Sequence, residues 1–428
     1  MIKSIFQEVK NKEQSIDYSQ QKELMKAFVD QLPEDVNNIL IIPPDYTRKH
    51  SGTGKLTAIL YKLLKGRAEI TIMPALGTHQ AMTKRELQDM FGNEIPFNIF
   101  KEHNYIKDTV HIGEIPKEYI SKVSNKVVNQ SIDVKINKEL VNEDYDLIVS
   151  IGQVLPHGVV GMSNYNKNIL VGCGGREMID VSHFIGAAYG MERLLGKDHS
   201  PVRKILDYAE NKFLQNINIS YILTVNTTEI NPKTHLTNLL GIYIGKERNV
   251  FEKAVKASQK FNITYLDKPV QKMVVYMDKN EFKTTWLACK AIYRTRLVIE
   301  EGGELIVLAP GLKKFGENQN IDKLIRKYGY MGKKKILKYV NESKELKDNL
   351  AVAAHLIHGS TNGRFSVTFA TDKLSKEELM NVNFKHMSYK KAKEIYIPTK
   401  LKYGYNKLNN QKIFFIENPA TGLWMSKN

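Results

Sequence analysis

The stretch YDLIVSIGQVLPHG (residues 145–158) is an apolar run that ends in a proline, a histidine and a glycine. Its first eight residues predict a buried strand. NILII (38–42) and AEITIM (68–73) predict two earlier strands, and an amphipathic pattern over 56–66 predicts a helix between them. This alternation is typical of an α/β fold with a largely parallel sheet. A second helix is predicted over 83–91, because Thr83 and the glutamate three residues later form a capping box.

The sequence pattern changes near residue 266, where the polar, proline-containing stretch LDKPVQK precedes a new apolar run. We therefore expect two α/β domains with largely parallel sheets, residues 1–265 and residues 266–428. Strands are predicted at 272–278, 304–310 and 364–370, a helix at 283–296, and serine-capped helices at SKEE (375–378) and SYKKAKE (388–394).

The composition narrows the class of protein. The 428 residues carry a formal charge of +17, but the lysines are scattered and no nucleic-acid-binding motif is present, so no nucleic-acid partner is expected. The first residues lack a signal-peptide pattern and no apolar run is long enough to cross a membrane, so a cytoplasmic protein without membrane association is expected. Two cysteines, Cys173 and Cys289, favour a reducing compartment over a disulfide framework.

The stretch HSGTGKL (50–56) is similar to a phosphate-binding P-loop but fails its pattern. The motif needs a glycine at the position of Lys49 and a serine or threonine at the position of Leu56. We therefore do not predict a nucleoside triphosphate site.

Polar residues follow three predicted parallel strands at the point where each strand ends. They are Asp45 and Arg48 after the first, His79 after the second, and His157 after the third. Ligands of open α/β sheets bind at that edge, so these four side chains are expected to converge. Taken singly, each could instead be a helix cap, a surface ion pair or a turn residue.

The segment HGVVGMSNYNKNILVGCGGREMIDVSH (157–183) adds Lys167 and His183. Lys167 could be a solvated surface residue, or an amine that forms a covalent bond to a carbonyl or thioacyl carbon if its pKa is lowered. One histidine without a Cys/His/Asp cluster is weak evidence for a metal site built by the protein alone, because zinc usually takes three or four protein ligands. A metal bound at His183 would need most of its ligands from another source.

These motifs together resemble the nickel-pincer-nucleotide lactate racemase family, over nearly the whole chain. Asp45-Tyr-Thr-Arg48 corresponds to the family's Asp-x-Thr-Arg, and Gly77-Thr78-His79 to its Gly-Thr-His. The family's block His-x3-Gly-x-Ser-Gly-Gly-x-Lys is followed sixteen residues later by a histidine. Here the positions of that block are held by His157, Gly161, Ser163, Lys167 and His183.

The resemblance implies a cofactor that brings most of its own metal ligands, in a cofactor-binding N-terminal domain. The family's nickel pyridinium-3,5-bisthiocarboxylic acid mononucleotide holds nickel through a ring carbon and two sulfurs. By position, Lys167 would be its covalent tether, His183 the protein ligand of nickel, and Gly161 and Ser163 part of the cofactor site. A soft, square-planar donor set suits nickel. Cofactor-biosynthesis proteins would be needed to load it.

The implied activity is racemisation or epimerisation of a small 2-hydroxy acid in a cleft between the domains. A histidine would take the hydroxyl proton while the C2 hydride moves to the cofactor, and return of the hydride to the other face would invert the centre. His79 and His157 fall at the positions of the two bases. Arg48 would clamp the carboxylate, and Asp45 would orient a histidine or Arg48.

Two departures from the family bear on this chain. In the second domain Trp286 and Lys290 keep the family pattern as substrate-pocket and catalytic residues, but Leu287 replaces a glutamine. Leucine cannot hydrogen-bond a hydroxyl or carboxylate, so a different or more apolar 2-hydroxy acid than lactate is expected. In the loop, Asn164 and Tyr165 replace two glycines, and tyrosine adopts positive φ poorly.

Two alternative functions remain open from the sequence. One is a metal-dependent or metal-free hydrolase or lyase that uses His79 and His157. The other is a non-catalytic protein that stores the cofactor or senses a hydroxy acid.

Overall fold

The structure is a computed structural model that describes residues 3–231 and 233–427. The chain divides into two compact units. Unit 1 comprises the described residues up to Ser182 together with Gly196–Asn262, and unit 2 comprises His183–Leu195 together with the described residues from Ile263 onward. The division after Asn262 lies close to the predicted boundary at 265, but the segment His183–Leu195 groups with the later part of the chain.

The strands before residue 263 are β1 Ile5–Glu8, β2 Asn38–Ile42, β3 Glu69–Ile72, β4 Thr109–Ile115, β5 Ile132–Asn137, β6 Leu147–Gln153, β7 Pro156–His157, β8 Gly161–Met162, β9 Ile219–Ile230 and β10 Thr237–Gly245. The helices are α1 Tyr18–Val29, α2 Thr53–Leu64, α3 Lys84–Phe91, α4 Lys117–Val123, α5 Arg176–Tyr189, α6 Met191–Leu194, α7 Pro201–Phe213 and α8 Arg248–Asn262. Short 3-10 turns occupy Tyr46–Ser51, Phe97–Ile99 and Lys138–Val141, and a π-helical turn occupies Asn168–Gly172.

The later strands are β11 Ile263–Leu266, β12 Val270–Tyr276, β13 Ile299–Leu308, β14 Ser366–Ala370, β15 Lys385–Met387, β16 Gly404–Leu408, β17 Gln411–Ile416 and β18 Leu423–Ser426. The later helices are α9 Thr285–Ala288, α10 Lys290–Thr295, α11 Gln319–Tyr328, α12 Lys333–Glu342, α13 Lys344–Lys347, α14 Leu350–His358, α15 Lys376–Asn381 and α16 Tyr389–Ile395, with a 3-10 turn at Pro398–Lys400.

Each unit is built on a six-stranded, largely parallel sheet. In unit 1 the order is β1-β10-β9-β6-β2-β3, and the four strands from β9 to β3 are parallel. In unit 2 the order is β15-β14-β13-β12-β17-β16, and only the β16–β17 pair is antiparallel. The predicted fold class is therefore confirmed. Strand β6 is buried at every position because it lies inside the sheet, which explains its unbroken apolar run.

Two of the three predicted helix caps are confirmed. Thr83 caps α3 through a complete capping box with Glu86, and Ser375 caps α15 in the same way. Ser388 stands before α16, but its hydroxyl donates to the Asp372 carboxylate at 2.7 Å and does not cap the helix. Asp372 also accepts the first amide hydrogens of α16, so a distant aspartate performs the predicted role of the serine.

Other features follow or modify the sequence predictions. The helix predicted over 283–296 is two short helices, α9 and α10. Cys173 and Cys289 are buried and unpaired. No helix in the described part of the chain combines the length and apolar character needed to cross a membrane.

Candidate active site

A directed chain of hydrogen bonds links the loops that follow β2 and β3. Arg48 Nη1 donates to Thr47 Oγ1 at 2.9 Å, and Thr47 Oγ1 donates to Asp45 Oδ1 at 2.7 Å. The other carboxylate oxygen, Asp45 Oδ2, lies 2.5 Å from His79 Nδ1. Because arginine can only donate, the Thr47 hydroxyl must accept from it and pass its own hydrogen to Asp45. The parallel strand ends thus bring Asp45, Arg48 and His79 together.

The proton arrangement of His79 follows from the charge of Asp45. Burial acts to raise the pKa of the Asp45 carboxyl, but the hydrogen bond and charge of His79 and the charge of Arg48 outweigh it and lower the pKa overall. The ionised carboxylate only accepts, so Nδ1 of His79 carries the hydrogen. Nε2 of a neutral His79 is then the basic nitrogen, on a side chain that is half exposed. An oriented histidine of this kind is built to take a proton.

His157 has the opposite arrangement. It ends β7 in a tight hairpin with β8, and its Nδ1 accepts a hydrogen bond from the backbone N–H of Val159 at 3.1 Å. A neutral His157 therefore carries its hydrogen on Nε2. The two histidines at the predicted base positions thus have unlike resting tautomers. Gly161, at the start of β8, adopts φ +84, which its lack of a side chain permits.

The loop between β8 and Lys167 keeps a glycine-like backbone although it has no glycine. Asn164 and Tyr165 have φ of +63 and +60. The Tyr165 ring turns into the core, where it is 3% exposed. Burying a ring removes about 150–250 Å² from water, worth about 4–6 kcal/mol at 25 cal/mol/Å², against about 1–3 kcal/mol for backbone strain. The tyrosine is therefore tolerated, and the backbone path of the two glycines is kept.

Ser163 and Asn164 fasten the start of this loop to β6 and the segment after it. The Ser163 hydroxyl donates to the Gln153 carbonyl at 2.8 Å and accepts from the Leu155 amide at 3.0 Å. The Asn164 amide covers Gly152, where an added Cβ would lie 1.7 Å from Asn164 Nδ2. In this structure the Ser163 hydroxyl is engaged with the backbone.

That close approach gives a stability prediction. Gly152→Ala should lower the free energy of unfolding by about 1–3 kcal/mol, because the new methyl group must displace the Asn164 side chain. The double variant Gly152→Ala/Asn164→Gly should recover most of the loss, since glycine removes the clash and suits the positive φ. Urea denaturation measures both. Equal instability of the two variants would contradict the packing described.

Lys167 follows this loop and immediately precedes the π-helical turn Asn168–Gly172. It keeps some solvent contact although protein surrounds most of its side chain. Burial, followed by the positive charges of Arg48 and Arg203, lowers the pKa of Lys167 to about 8, while Asp45 opposes the shift. A substantial fraction of the amine is therefore neutral near pH 8 and able to act as a nucleophile. The charges that act on Lys167 include those of Asp45 and Arg48, which belong to the hydrogen-bond chain that ends at His79.

The remaining predicted site residues belong to unit 2. His183 is half-buried on α5, a helix that runs across the division between the units. Leu287 and Trp286 are half-buried on α9, and the Trp286 ring packs against His355 with centroids 4.4 Å apart. The Lys290 ammonium lies 5.6 Å from the centre of the Phe282 ring.

Sequence reasoning missed two histidines on α14, His355 and His358. Burial lowers the pKa of His355 to about 3, and its Nε2 is 2.8 Å from the Tyr330 hydroxyl. His358 Nε2 is buried without a hydrogen-bond partner, and burial, then the charges of His183, His355 and Arg296, hold its pKa well below the usual range. In the sequence these two residues form a His-x2-His pair at the end of an apolar helix. A buried helix without a functional role shows the same pattern, so the sequence does not single them out.

Two known proteins whose sequences are similar to this chain are lactate racemases. Residues 2–192 match the model of the lactate racemase N-terminal domain. The first part of this chain is therefore similar to the N-terminal domain of lactate racemases. The chain is 27% identical over 202 residues to the lactate racemase of Thermoanaerobacterium thermosaccharolyticum, covering 45% of this chain and 42% of that enzyme. It is 28% identical over 161 residues to the lactate racemase of Lactiplantibacillus plantarum, covering 36% of this chain and 34% of that enzyme. These alignments span less than half of the length of either lactate racemase.

Two solved structures share the fold over most of the chain. A crystal structure of a Thermotoga maritima protein matches with a TM-score of 0.80 and 25% identity, covering 96% of this chain and 98% of that one. The lactate racemase apoprotein of T. thermosaccharolyticum matches with a TM-score of 0.69 and 18% identity, covering 94% of this chain and 92% of that one. The resemblance to lactate racemase in fold thus extends beyond the N-terminal domain.

Proposed function

We propose that the protein is an isomerase that racemises or epimerises a 2-hydroxy acid with a nickel-pincer nucleotide tethered to Lys167. The observation that carries the proposal is the half-buried Lys167 amine, with a pKa of about 8, within the electrostatic range of the Asp45–Arg48 cluster. A surface lysine needs no such environment, whereas a covalent tether needs an amine that can lose its proton.

The residues present suit the cofactor. The described part of the chain contains one cluster with the spacing of metal ligands, Asp198, His199 and Glu252, and Arg248 already pairs with Asp198 at 2.6 Å. His183 is outside that cluster, in agreement with a metal whose other ligands come from the cofactor. Lys167 would hold the cofactor covalently and His183 would bind its nickel. When bound, the cofactor supplies an acceptor for the hydride of substrate C2.

The chain's own side chains would handle the substrate and its proton. The Arg48 guanidinium suits a carboxylate, for which its planar fork is well shaped. His79 Nε2 takes the hydroxyl proton, and the charge on the resulting imidazolium is stabilised by ionised Asp45 at Nδ1. His157 presents an Nε2 hydrogen in its resting tautomer. To act as the second base it must give up the hydrogen bond from Val159.

This asymmetry predicts unequal effects of the same substitution at the two histidines. A glutamine side chain can donate a hydrogen bond but cannot take a proton, so His157→Gln should retain at least about tenfold more kcat/KM than His79→Gln. Steady-state polarimetry of both loaded variants measures the difference. Equal losses would show that His157 functions only as a base.

The substrate class is tested by a racemisation screen of the loaded protein over small, acidic, aromatic and sugar-derived 2-hydroxy acids. Leu287 offers no hydrogen bond where the family has glutamine, so lactate should not be the best substrate. A clear preference for lactate would contradict this expectation. Loading would depend on cofactor-biosynthesis proteins supplied by the host.

A further inference from the structure

A buried arginine binds the backbone of the segment formed by Asn164 and Tyr165, which has positive φ and precedes Lys167. Arg203 lies on α7 and is 0% exposed. Its Nη2 donates to the carbonyl oxygens of Met162 at 2.8 Å and Asn164 at 3.2 Å. Met162 lies two residues before the pair Asn164 and Tyr165, whose φ angles are positive, and Asn164 is the first residue of that pair. Arg203 therefore ties two carbonyl groups of the loop to α7.

Asn166 connects this arginine to two acidic side chains. Arg203 Nη1 donates to Asn166 Oδ1, while Asn166 Nδ2 donates to Asp207 Oδ1 at 2.7 Å and Glu210 Oε2 at 3.0 Å. The orientation of the amide is unambiguous, because its oxygen meets a donor and its nitrogen meets two acceptors. Arg203, Asp207 and Glu210 are spaced i, i+4 and i+7, so they share one face of α7.

Aromatic rings close the other side. The Arg203 guanidinium lies 4.4 Å from the centre of the Phe251 ring. Phe251 also stacks on Tyr165 at 5.1 Å, and Tyr165 packs on Tyr221 at 4.4 Å. The Tyr221 hydroxyl donates to Glu210 Oε1 at 2.6 Å. Tyr165, the residue before Asn166, and Arg203 are thus both packed against Phe251. Lys167 follows Asn166 directly in the chain.

We propose that Arg203, acting with Asn166, is a positioning residue that presents Lys167 as a neutral nucleophile at the end of a rigid loop. The charged groups that act on Lys167 are Arg48, Arg203 and Asp45, and both arginines lower its pKa. The inference rests on the proposed function only in that Lys167 is taken as the tether. The reactivity of the amine can be measured without any cofactor.

The test is acetylation of the full-length apoprotein by acetic anhydride, followed at the peptide containing Lys167 by mass spectrometry across the pH range. Wild-type Lys167 should be half-reactive near pH 8. In Arg203→Met the rate at pH 8 should fall about three- to tenfold and the midpoint should rise, because a fixed positive charge is gone. Arg203→Lys keeps the charge and should keep the midpoint close to wild type, which separates the charge from the contacts to the loop.

A matched control and a second variant guard against misfolding. Arg296→Met removes another fully buried arginine, which pairs with Glu192 at 2.6 Å in unit 2, and should leave the Lys167 profile unchanged. Asn166→Asp replaces the donor to Asp207 and Glu210 by an acceptor and neutralises Arg203, so it should also raise the midpoint, and its urea denaturation is measured beside that of Arg203→Met. Wild-type profiles in both Arg203→Met and Asn166→Asp would overturn the proposal.

The outcome is separable from that of the proposed function. If the acetylation profiles shift as expected but cofactor-loaded protein carries no adduct on Lys167, the proposed tether is wrong and the role of Arg203 stands. If the adduct is present but the profiles do not shift, the tether at Lys167 stands and the proposed role of Arg203 is wrong.

Discussion

Asp45→Asn is expected to lower kcat/KM for racemisation about 10²- to 10⁴-fold, the range set by loss of a positioned base. Thr47 donates to one oxygen of Asp45, so the oxygen of an asparagine would remain with Thr47 and its NH₂ group would face His79. An NH₂ group donates, which makes Nδ1 of His79 the acceptor and moves its hydrogen to Nε2. The basic nitrogen is then lost while the shape of the site is kept. A loss of the same kind is described for a catalytic triad whose aspartate becomes asparagine.

The same hydrogen-bond chain provides the control. In Asp45→Asn/Thr47→Val nothing fixes the asparagine oxygen, so the amide can turn that oxygen toward His79 and part of the activity should return. Because a substitution in the enzyme cannot change the equilibrium constant between the two stereoisomers, each variant must lose the same factor of kcat/KM in both directions. Activity of Asp45→Asn within about threefold of wild type would refute the role of Asp45, since positioned bases are worth far more.

Lys167→Met is expected to abolish racemisation while making the fold more stable at neutral pH. The folded-state pKa of Lys167, about 8, is below the ordinary value of 10.5, so folding disfavours the protonated lysine. Between these two pH values the unfolded chain binds more protons at this site, and wild-type stability gains from each rise in pH. The variant lacks this term. Its advantage in free energy of unfolding should therefore be largest at and below about pH 8 and should shrink as the pH rises toward 10.5.

Urea denaturation of both proteins at several pH values measures this difference, and the comparison cancels the titration of the other groups. Lys62→Met is a suitable control, because Lys62 is a surface lysine that pairs with Glu94 at 2.8 Å and is exposed. Its removal should give no such gain. Loss of stability in Lys167→Met at pH 7 would show that Lys167 is an ordinary structural residue.

The features of the fold and of the site that the sequence predicts are those set by short-range rules. Strand β2 coincides with the predicted NILII run, and the Thr83 capping box needs only residues three apart. Of the four side chains predicted to converge, Asp45, Arg48 and His79 are linked by hydrogen bonds, because parallel strands deliver their carboxyl ends to one edge. The convergence of His157 with them stays a prediction. The chain of hydrogen bonds among the three linked side chains was not predictable in detail, since it depends on the rotamer of Thr47.

Long-range support explains what the sequence did not reveal. Asn164 and Tyr165 adopt positive φ because Arg203, Tyr221 and Phe251, which lie 38 to 87 positions away from them in the sequence, enclose the loop. No pattern near residue 165 contains that information. The capping role of Asp372 at the start of α16 is hidden for the same reason, as the aspartate lies 17 residues before Tyr389.

The tether at Lys167 is tested by producing the protein together with the enzymes that make the cofactor, and by measuring nickel and the mass of the peptide containing Lys167. We expect bound nickel and a mass increment on that peptide, with neither in Lys167→Met. Wild-type protein that carries neither nickel nor an increment on Lys167 would contradict the proposed tether.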